Sequence, residues 1–131
     1  VARKNATDNA ADVTFLTGDM LEPFIEAGIR CDILVSNPPY IPVHEQMEHS
    51  VVDFEPHVAL FGGEDGLKFY REIFANAHRV IKEKAILAFE MGYDQGERLR
   101  ALAKEHFPDA RVEIIKDLSG KNRMLFVYHN L

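Results

Sequence analysis

Cysteine and long apolar runs are the features that this sequence has least of. The chain of 131 residues contains one cysteine, Cys31, which excludes an internal disulfide and a metal site built on paired sulfurs. Every apolar stretch is far shorter than the roughly 20 residues that cross a bilayer, so we predict no membrane span and no membrane partner. The first residues lack the apolar core of a secretory signal, which favours the cytoplasm.

Positive charge is also scarce. The chain has 15 basic and 21 acidic side chains and a net charge of −6. Such a surface offers little attraction to a polyanion, which disfavours free nucleic acid as a partner. The histidines at positions 44, 49 and 57 share one irregular segment without metal-binding spacing, so we expect them to be solvated and predict no metal site. What is abundant is apolar residues, at 47%, and at this length they suit one globular domain over residues 1–131.

Strands and helices alternate in the predicted order. The predicted helices cover residues 2–10, 65–80 and 94–107, and the last begins with Asp94 and Glu97 as a capping box. Short runs rich in β-branched and aromatic residues predict strands at 13–17, 32–36, 85–89, 111–115 and 123–129. This order predicts an α/β domain with a mostly parallel sheet and an antiparallel hairpin at its carboxyl end.

Polar residues follow three of the predicted strands. Asp19 and Met20 come after the first, Asn37-Pro38-Pro39-Tyr40 after the second, and Glu90-Met91-Gly92 after the third. In open sheets of this kind, ligands bind beyond the carboxyl ends of the strands. We therefore expect these residues to form one rim that binds a ligand.

The segment Asn37-Pro38-Pro39-Tyr40 fits methyl transfer to a planar nitrogen. An amide nitrogen is a poor nucleophile because its lone pair is delocalised, so two hydrogen-bond acceptors must align its NH₂ group. The Asn37 side-chain oxygen and the Pro38 carbonyl can be those acceptors, and the two prolines restrict their backbone. Tyr40 can supply a flat wall. A proline pair can also simply end a strand without any chemistry.

Asp19 and Met20 fit the other reactant. The Asp19 carboxylate can accept a hydrogen bond from the amino group of an adenine, while Met20 packs on the ring. Aspartate is also common in ordinary turns, so a purely local role for Asp19 stays open.

Segments along the whole chain resemble the HemK/PrmC family, the protein-(glutamine-N5) methyltransferases that modify the Gly-Gly-Gln tripeptide of peptide chain release factors. The Asn-Pro-Pro-Tyr element is shared with methyltransferases that act on adenine amino groups of nucleic acids. The Glu55-Pro56 pair and the Gly-Gly-x-Asp-Gly-Leu sequence that ends at Leu67 are similar to the glutamine-modifying branch, as is the segment from Asp117 to Arg123. The resemblance therefore favours a release factor as the protein partner.

The resemblance implies a Rossmann-like methyltransferase fold with S-adenosylmethionine as cofactor. It implies that Asn37 contacts both the glutamine amide and the cofactor, and that the Pro38 carbonyl accepts from the amide. It further implies that Pro39 and Tyr40 line the acceptor pocket. It also implies that Asp19 and Met20 border the adenine of the cofactor and that Glu55 and Pro56 shape the side of the site where the substrate binds.

The family's first two strands have no counterpart in this sequence. They carry a glycine-rich loop and an acidic residue that holds the ribose. In the order of strands across the family's sheet, they lie between the strands matched by residues 13–17 and 32–36. We therefore expect this chain to be the carboxyl-terminal part of the catalytic domain and to bind S-adenosylmethionine poorly. Sheet edges left by the gap are expected to allow homo-oligomers.

Two other functions stay open at the level of sequence. The first is an adenine-amino methyltransferase that acts on DNA or RNA. The second is a non-catalytic binding module that contacts a partner through residues 41–63.

Overall fold

A computed structural model describes residues 1–38 and 66–131 of the chain, and its elements largely follow the predicted alternation. The segment 41–63 and the candidate residues Pro39, Tyr40, Glu55 and Pro56 lie outside the described residues. The helices are α1 (Ala2–Asp8), α2 (Glu22–Glu26), α3 (Lys68–Asn76), which a 3₁₀ turn (Ala77–Arg79) follows, and α4 (Gly96–His106). The strands are β1 (Cys31–Ser36), β2 (Ile81–Glu90), β3 (Arg111–Lys116) and β4 (Asn122–His129).

The strands form one mixed sheet in the order β1-β2-β4-β3. β1 pairs with β2 in parallel, whereas β4 pairs antiparallel with both β2 and β3. The predicted carboxyl-terminal hairpin is therefore confirmed. Within the described residues the parallel part of the sheet is the single pair β1–β2.

One face of the sheet carries the core. Leu87 and Phe89 of β2 pair with Val127 and Leu125 of β4, and all four are buried. Helix α3 packs on them because its apolar residues recur every three or four positions, which places Tyr70, Ile73 and Phe74 on one side of the helix. Helix α4 adds Leu99 and Ala103 to the same core.

The other face of the sheet is open in the part of the chain that the structure describes. Val35 of β1 pairs with Ala88 of β2, which pairs with Phe126 of β4, so these side chains share that face. Ile33 and Val35 expose 59% and 72% of their surface. Sheets with parallel strands are usually covered on both faces, so this apolar face is a surface for further packing.

Two predictions about local structure were wrong. Residues 13–17 form no strand, and Val13 and Leu16 are exposed by 51% and 39%. Their β-propensity is realised only against a neighbouring strand, and no described strand pairs with them. The capping box at Asp94 and Glu97 does not form either, because α4 begins one residue after Gln95, which occupies the cap position without a side-chain cap bond.

Smaller differences concern the ends of elements. Helix α3 begins at Lys68 instead of Asp65, and α2 was not predicted, because five residues that include Pro23 are too few to show a helical period. Cys31 is half-buried, and its thiol donates to the carbonyl of Val80. No helix within the described ranges is long and apolar enough to cross a membrane.

Histidine side chains border the core at the end of the sheet away from Asn37. The rings of His78 and His129 both pack on Phe107, with centroids 4.1 and 5.1 Å from it, and they lie 5.4 Å from each other. Burial, and to a smaller extent the charge of His78, lowers the pKa of His129 below its usual value of 6.5. The folded state therefore favours the neutral imidazole.

We expect His129 to make the stability of the fold depend on pH. Its contribution is fully present above the unfolded pKa and is lost as the pH falls through the lower folded pKa, because the unfolded chain then binds the extra proton. Urea unfolding between pH 7.5 and pH 5 should show this loss, and a His129→Phe variant should show a smaller one. If the free energy of unfolding fell equally with pH in wild type and in His129→Phe, the prediction would be contradicted.

Candidate functional site

Asn37 lies at the carboxyl end of the parallel strand pair. Ser36, the last residue of β1, pairs with Phe89 of β2, so the residues that follow both strands emerge at one edge of the sheet. Asn37 is exposed, whereas Pro38 is buried. A proline at position 38 restricts the backbone of Asn37 to extended conformations, and the asparagine itself is open to solvent.

A pocket of about 500 Å³ opens beside Asn37. A volume of this size is typical of sites for small ligands, which run from about 300 to 1,000 Å³. The pocket is largely apolar, and its polar side chains come from the ends of three strands. They are Ser36 at the end of β1, Asn37 directly after it, Glu90 at the end of β2, and Arg123 at the beginning of β4.

Arg123 is held in this pocket by an ion pair. Its Nε lies 3.2 Å from Oδ2 of Asp117, and the other carboxylate oxygen, Oδ1, accepts from the backbone N–H groups of Ser119 and Lys121 at 2.8 and 3.1 Å. The hydrogen bond from Lys121, with those from Arg123 and Ser119, lowers the pKa of Asp117. The carboxylate therefore stays ionised and keeps the guanidinium beside the end of β2.

Asp19 and Met20 line a different pocket. It lies between α2 and α3, has a volume of about 400 Å³, and carries the carboxylates of Glu22, Glu26 and Glu72 on its walls. Met20 adopts a left-handed backbone conformation with φ of 50°. Among the described residues, the structure does not bring Asp19 and Asn37 into one pocket.

No family model matches the chain. Curated relatives are named release factor glutamine methyltransferase. The relative from Bacillus anthracis is 48% identical over 128 residues, which is 96% of this chain and 45% of the relative. The relative from Bacillus subtilis (strain 168) is 46% identical over 127 residues, and the chain covers 44% of it. The chain thus spans less than half the length of the relatives it matches.

Solved structures give the same result. The protein-(glutamine-N5) methyltransferase (release factor-specific) from Alicyclobacillus acidocaldarius superposes with a TM-score of 0.59 at 27% identity, over 92% of this chain and 64% of that chain. Over nearly its whole length the chain is therefore similar to part of the proteins named release factor glutamine methyltransferase. A methyltransferase from Pyrococcus furiosus, 18% identical, superposes with a TM-score of 0.59 and shows the shared fold.

The superpositions confirm the predicted Rossmann-like methyltransferase fold, and the relatives that the chain resembles are named for the glutamine-modifying activity. The roles given to individual site residues stay predictions. The structure shows that Asn37 is exposed and Pro38 is buried at the end of β1. It also shows that Asp19 and Met20 line a pocket that does not include Asn37. No group of three or more His, Cys, Asp or Glu side chains within residues 1–38 and 66–131 is arranged to hold a metal ion.

Sequence reasoning gave no chemical role to Glu90 and Arg123. Glu90 was placed in the predicted rim without a role, and Arg123 was noted only as part of a family-like segment, yet both line the pocket beside Asn37. The strand pairing explains this, since Glu90 pairs with Met124, the neighbour of Arg123. A pairing between residues more than 30 positions apart leaves no local signal in the sequence.

Proposed function

We propose that the protein transfers a methyl group from S-adenosylmethionine to the side-chain amide nitrogen of glutamine in the Gly-Gly-Gln tripeptide of a peptide chain release factor. One observation carries the proposal: an exposed Asn37 follows the parallel strand β1 beside a pocket, in a chain 48% identical to a relative named release factor glutamine methyltransferase. Open α/β sheets bind their ligands at this edge.

On the acceptor side, two oxygens orient the amide. The Asn37 side-chain oxygen and the Pro38 carbonyl accept the two N–H groups of the glutamine side chain and turn its nitrogen towards the methyl donor. Because Pro38 is buried, the carbonyl is held in place before substrate arrives. Pro39, Tyr40, Glu55 and Pro56 complete the substrate side in this proposal.

On the cofactor side, the described residues offer only part of a site. S-adenosylmethionine supplies an electrophilic methyl group on a sulfonium. Asn37 is open to such a ligand, and the Asp19 carboxylate is exposed and free to accept from an adenine amino group, with the half-buried Met20 beside it. The two groups line separate pockets, so the fit on this side is incomplete.

We expect the isolated chain to bind S-adenosylmethionine weakly. Contacts to only parts of the ligand, made from separate pockets, leave most of the cost of immobilising it uncompensated. Isothermal titration calorimetry at 25 °C should give a dissociation constant well above the low-micromolar range. A low-micromolar constant for residues 1–131 alone would refute the expectation.

The acceptor is identified by its product. The full-length protein that carries this chain is incubated with S-adenosylmethionine and a release factor, and the release factor is digested and analysed by mass spectrometry. We expect a gain of one methyl group on the glutamine of the Gly-Gly-Gln peptide. Transfer to adenine in DNA or RNA supplied in the same reaction would favour the nucleic-acid alternative, and no transfer to any acceptor would favour a binding module.

The edge of β1 that faces away from β2 has no partner among the described strands. Unpaired edges next to an apolar face promote association, so we propose that the isolated chain forms homo-oligomers through this edge. Sedimentation velocity over a range of concentrations should show dimers or larger species. A monomer at every concentration would rule out this proposal.

The cytoplasmic location of the protein stays a prediction from the sequence.

A further inference from the structure

Three side chains from three different elements bind the backbone of three consecutive residues, Glu90 to Gly92. The Tyr70 hydroxyl, from α3, donates to the carbonyl of Glu90. Arg123 Nη1, from β4, donates to the carbonyl of Met91 at 3.5 Å, and the N–H of Gly92 donates to Oε1 of Gln95 at 2.9 Å.

This segment begins where the sheet stops. The N–H of Met91 donates to the carbonyl of Arg123 at 2.8 Å, one residue beyond the end of β2. Beyond that bond, the side chains of Arg123 and Gln95 bind the backbone of Met91 and Gly92, and the N–H of Gln95 donates to the carbonyl of Gly92 at 3.1 Å. Backbone groups that are held from several sides at a strand end are fixed more strictly than the sheet alone requires.

Gln95 is the least expected of the three side chains. It precedes α4 at the cap position, where short residues such as serine or aspartate are preferred, and it makes no cap bond to the helix. Its exposed fraction is 1%, and it is the one buried polar side chain among the described residues. A buried amide is costly unless its donors and acceptors are bonded, so its presence at this position has to be explained by what it binds.

The two ends of the Gln95 amide bind two different segments. While its oxygen accepts from Gly92, its nitrogen donates to the carbonyl of Gly66 at 3.4 Å. Gly66 is buried, has φ of 77° and leads into α3. An amide supplies one acceptor and one donor here, whereas glutamate supplies only the acceptor and leucine supplies neither.

The fixed segment borders the candidate acceptor site. Glu90 lines the pocket together with Asn37 and Arg123, and Phe89, the residue before Glu90, pairs with the residue before Asn37. A shift of the Glu90 backbone therefore changes the wall of this pocket.

We propose that Gln95 is a positioning residue for methyl transfer. Together with Tyr70 and Arg123, it fixes the backbone from Glu90 to Gly92, which places Glu90 in the wall of the pocket beside Asn37, and it ties this segment to the backbone that enters α3. This role rests on the proposed function, because it is the release factor that the wall meets. Gln95 itself touches neither reactant.

The test compares Gln95→Leu and Gln95→Glu with the wild-type full-length protein. Initial rates are measured while the release factor and S-adenosylmethionine are varied in turn, with the folded fraction of each protein taken from circular dichroism. We expect Gln95→Leu to raise the KM for the release factor by about tenfold and to change the KM for the cofactor by less than about twofold. Gln95→Glu, which keeps the acceptor for Gly92, should lie between Gln95→Leu and wild type.

Leu99→Ala is the matched control on the same helix. Leu99 is buried in the core, and its side chain has no polar group that could bind the backbone of residues 90–92, so its truncation lowers stability through packing. Per folded molecule, both KM values should stay at the wild-type level. Hydrogen exchange adds a readout that is independent of activity, since the amide of Gly92 should exchange faster in Gln95→Leu while amides of β3 remain protected.

The outcomes separate this role from the proposed function. If wild-type protein transfers no methyl group to the release factor, the proposed function fails and the role of Gln95 fails with it. If wild type is active and the KM of Gln95→Leu for the release factor is unchanged per folded molecule, only the positioning role is overturned. Unchanged exchange at Gly92 would likewise overturn it.

Discussion

Replacing Asn37 by alanine is expected to lower kcat/KM for release factor methylation by about two to three orders of magnitude, the range found when one orienting hydrogen-bond group is removed from an active site. The substitution removes an acceptor that aligns the amide nitrogen and leaves the Pro38 carbonyl alone to do so. Rates are measured with labelled S-adenosylmethionine and the full-length protein.

The fold should tolerate this change. Asn37 is exposed and follows the last residue of β1, so its side chain contributes little to the core, and the free energy of unfolding should change by less than about 0.5 kcal/mol. Asn5→Ala provides the asparagine control, because Asn5 is exposed in α1 and does not line the pocket beside Asn37. Near-normal transfer by Asn37→Ala would remove this residue from the mechanism.

The proposed chemistry depends on backbone that is fixed before the substrate binds. On one side, the buried Pro38 holds the turn after β1. On the other side, Tyr70 and Arg123 donate to the carbonyls of Glu90 and Met91 at the end of β2, and the Gln95 side chain accepts from the N–H of Gly92. A weak nucleophile such as an amide gains most from such preorganisation, because alignment replaces chemical activation.

Elements whose signals are local could be predicted from the sequence. The apolar run that became β1 is continuous and ends at two prolines, and the hairpin β3–β4 is joined by a short turn-rich link. Both signals are local. These signals placed Asn37 at a strand end, so this part of the site could be predicted from the sequence.

Features that depend on distant partners could not be predicted. Residues 13–17 have the composition of a strand, yet no described strand is beside them, so propensity alone gave the wrong answer. Gln95 lies in a sequence that favours Asp94 as the cap, and only the distances to Gly92 and Gly66 reveal its role. Arg123 reaches Met91 because of the register between β2 and β4, which composition does not encode.

Truncation of Phe74 should produce the largest loss of stability in the described core. Its ring is fully buried between the sheet and α4, with centroids 5.1 Å from Phe89 and 6.2 Å from Phe107. Phe74→Ala is expected to cost about 3–5 kcal/mol, because it removes apolar contacts and leaves a cavity between α3 and β2. That is a large share of the roughly 5–15 kcal/mol by which a domain is stable.

Urea unfolding monitored by circular dichroism measures this loss, and two further variants identify its cause. Phe74→Leu keeps most of the volume and should cost only about 1–2 kcal/mol. Leu118→Ala removes an apolar side chain that is fully exposed in the β3–β4 turn and should change stability by less than about 0.5 kcal/mol. If Phe74→Ala cost no more than Leu118→Ala, the packing of α3 on β2 would not be the main support of the edge that carries Asn37.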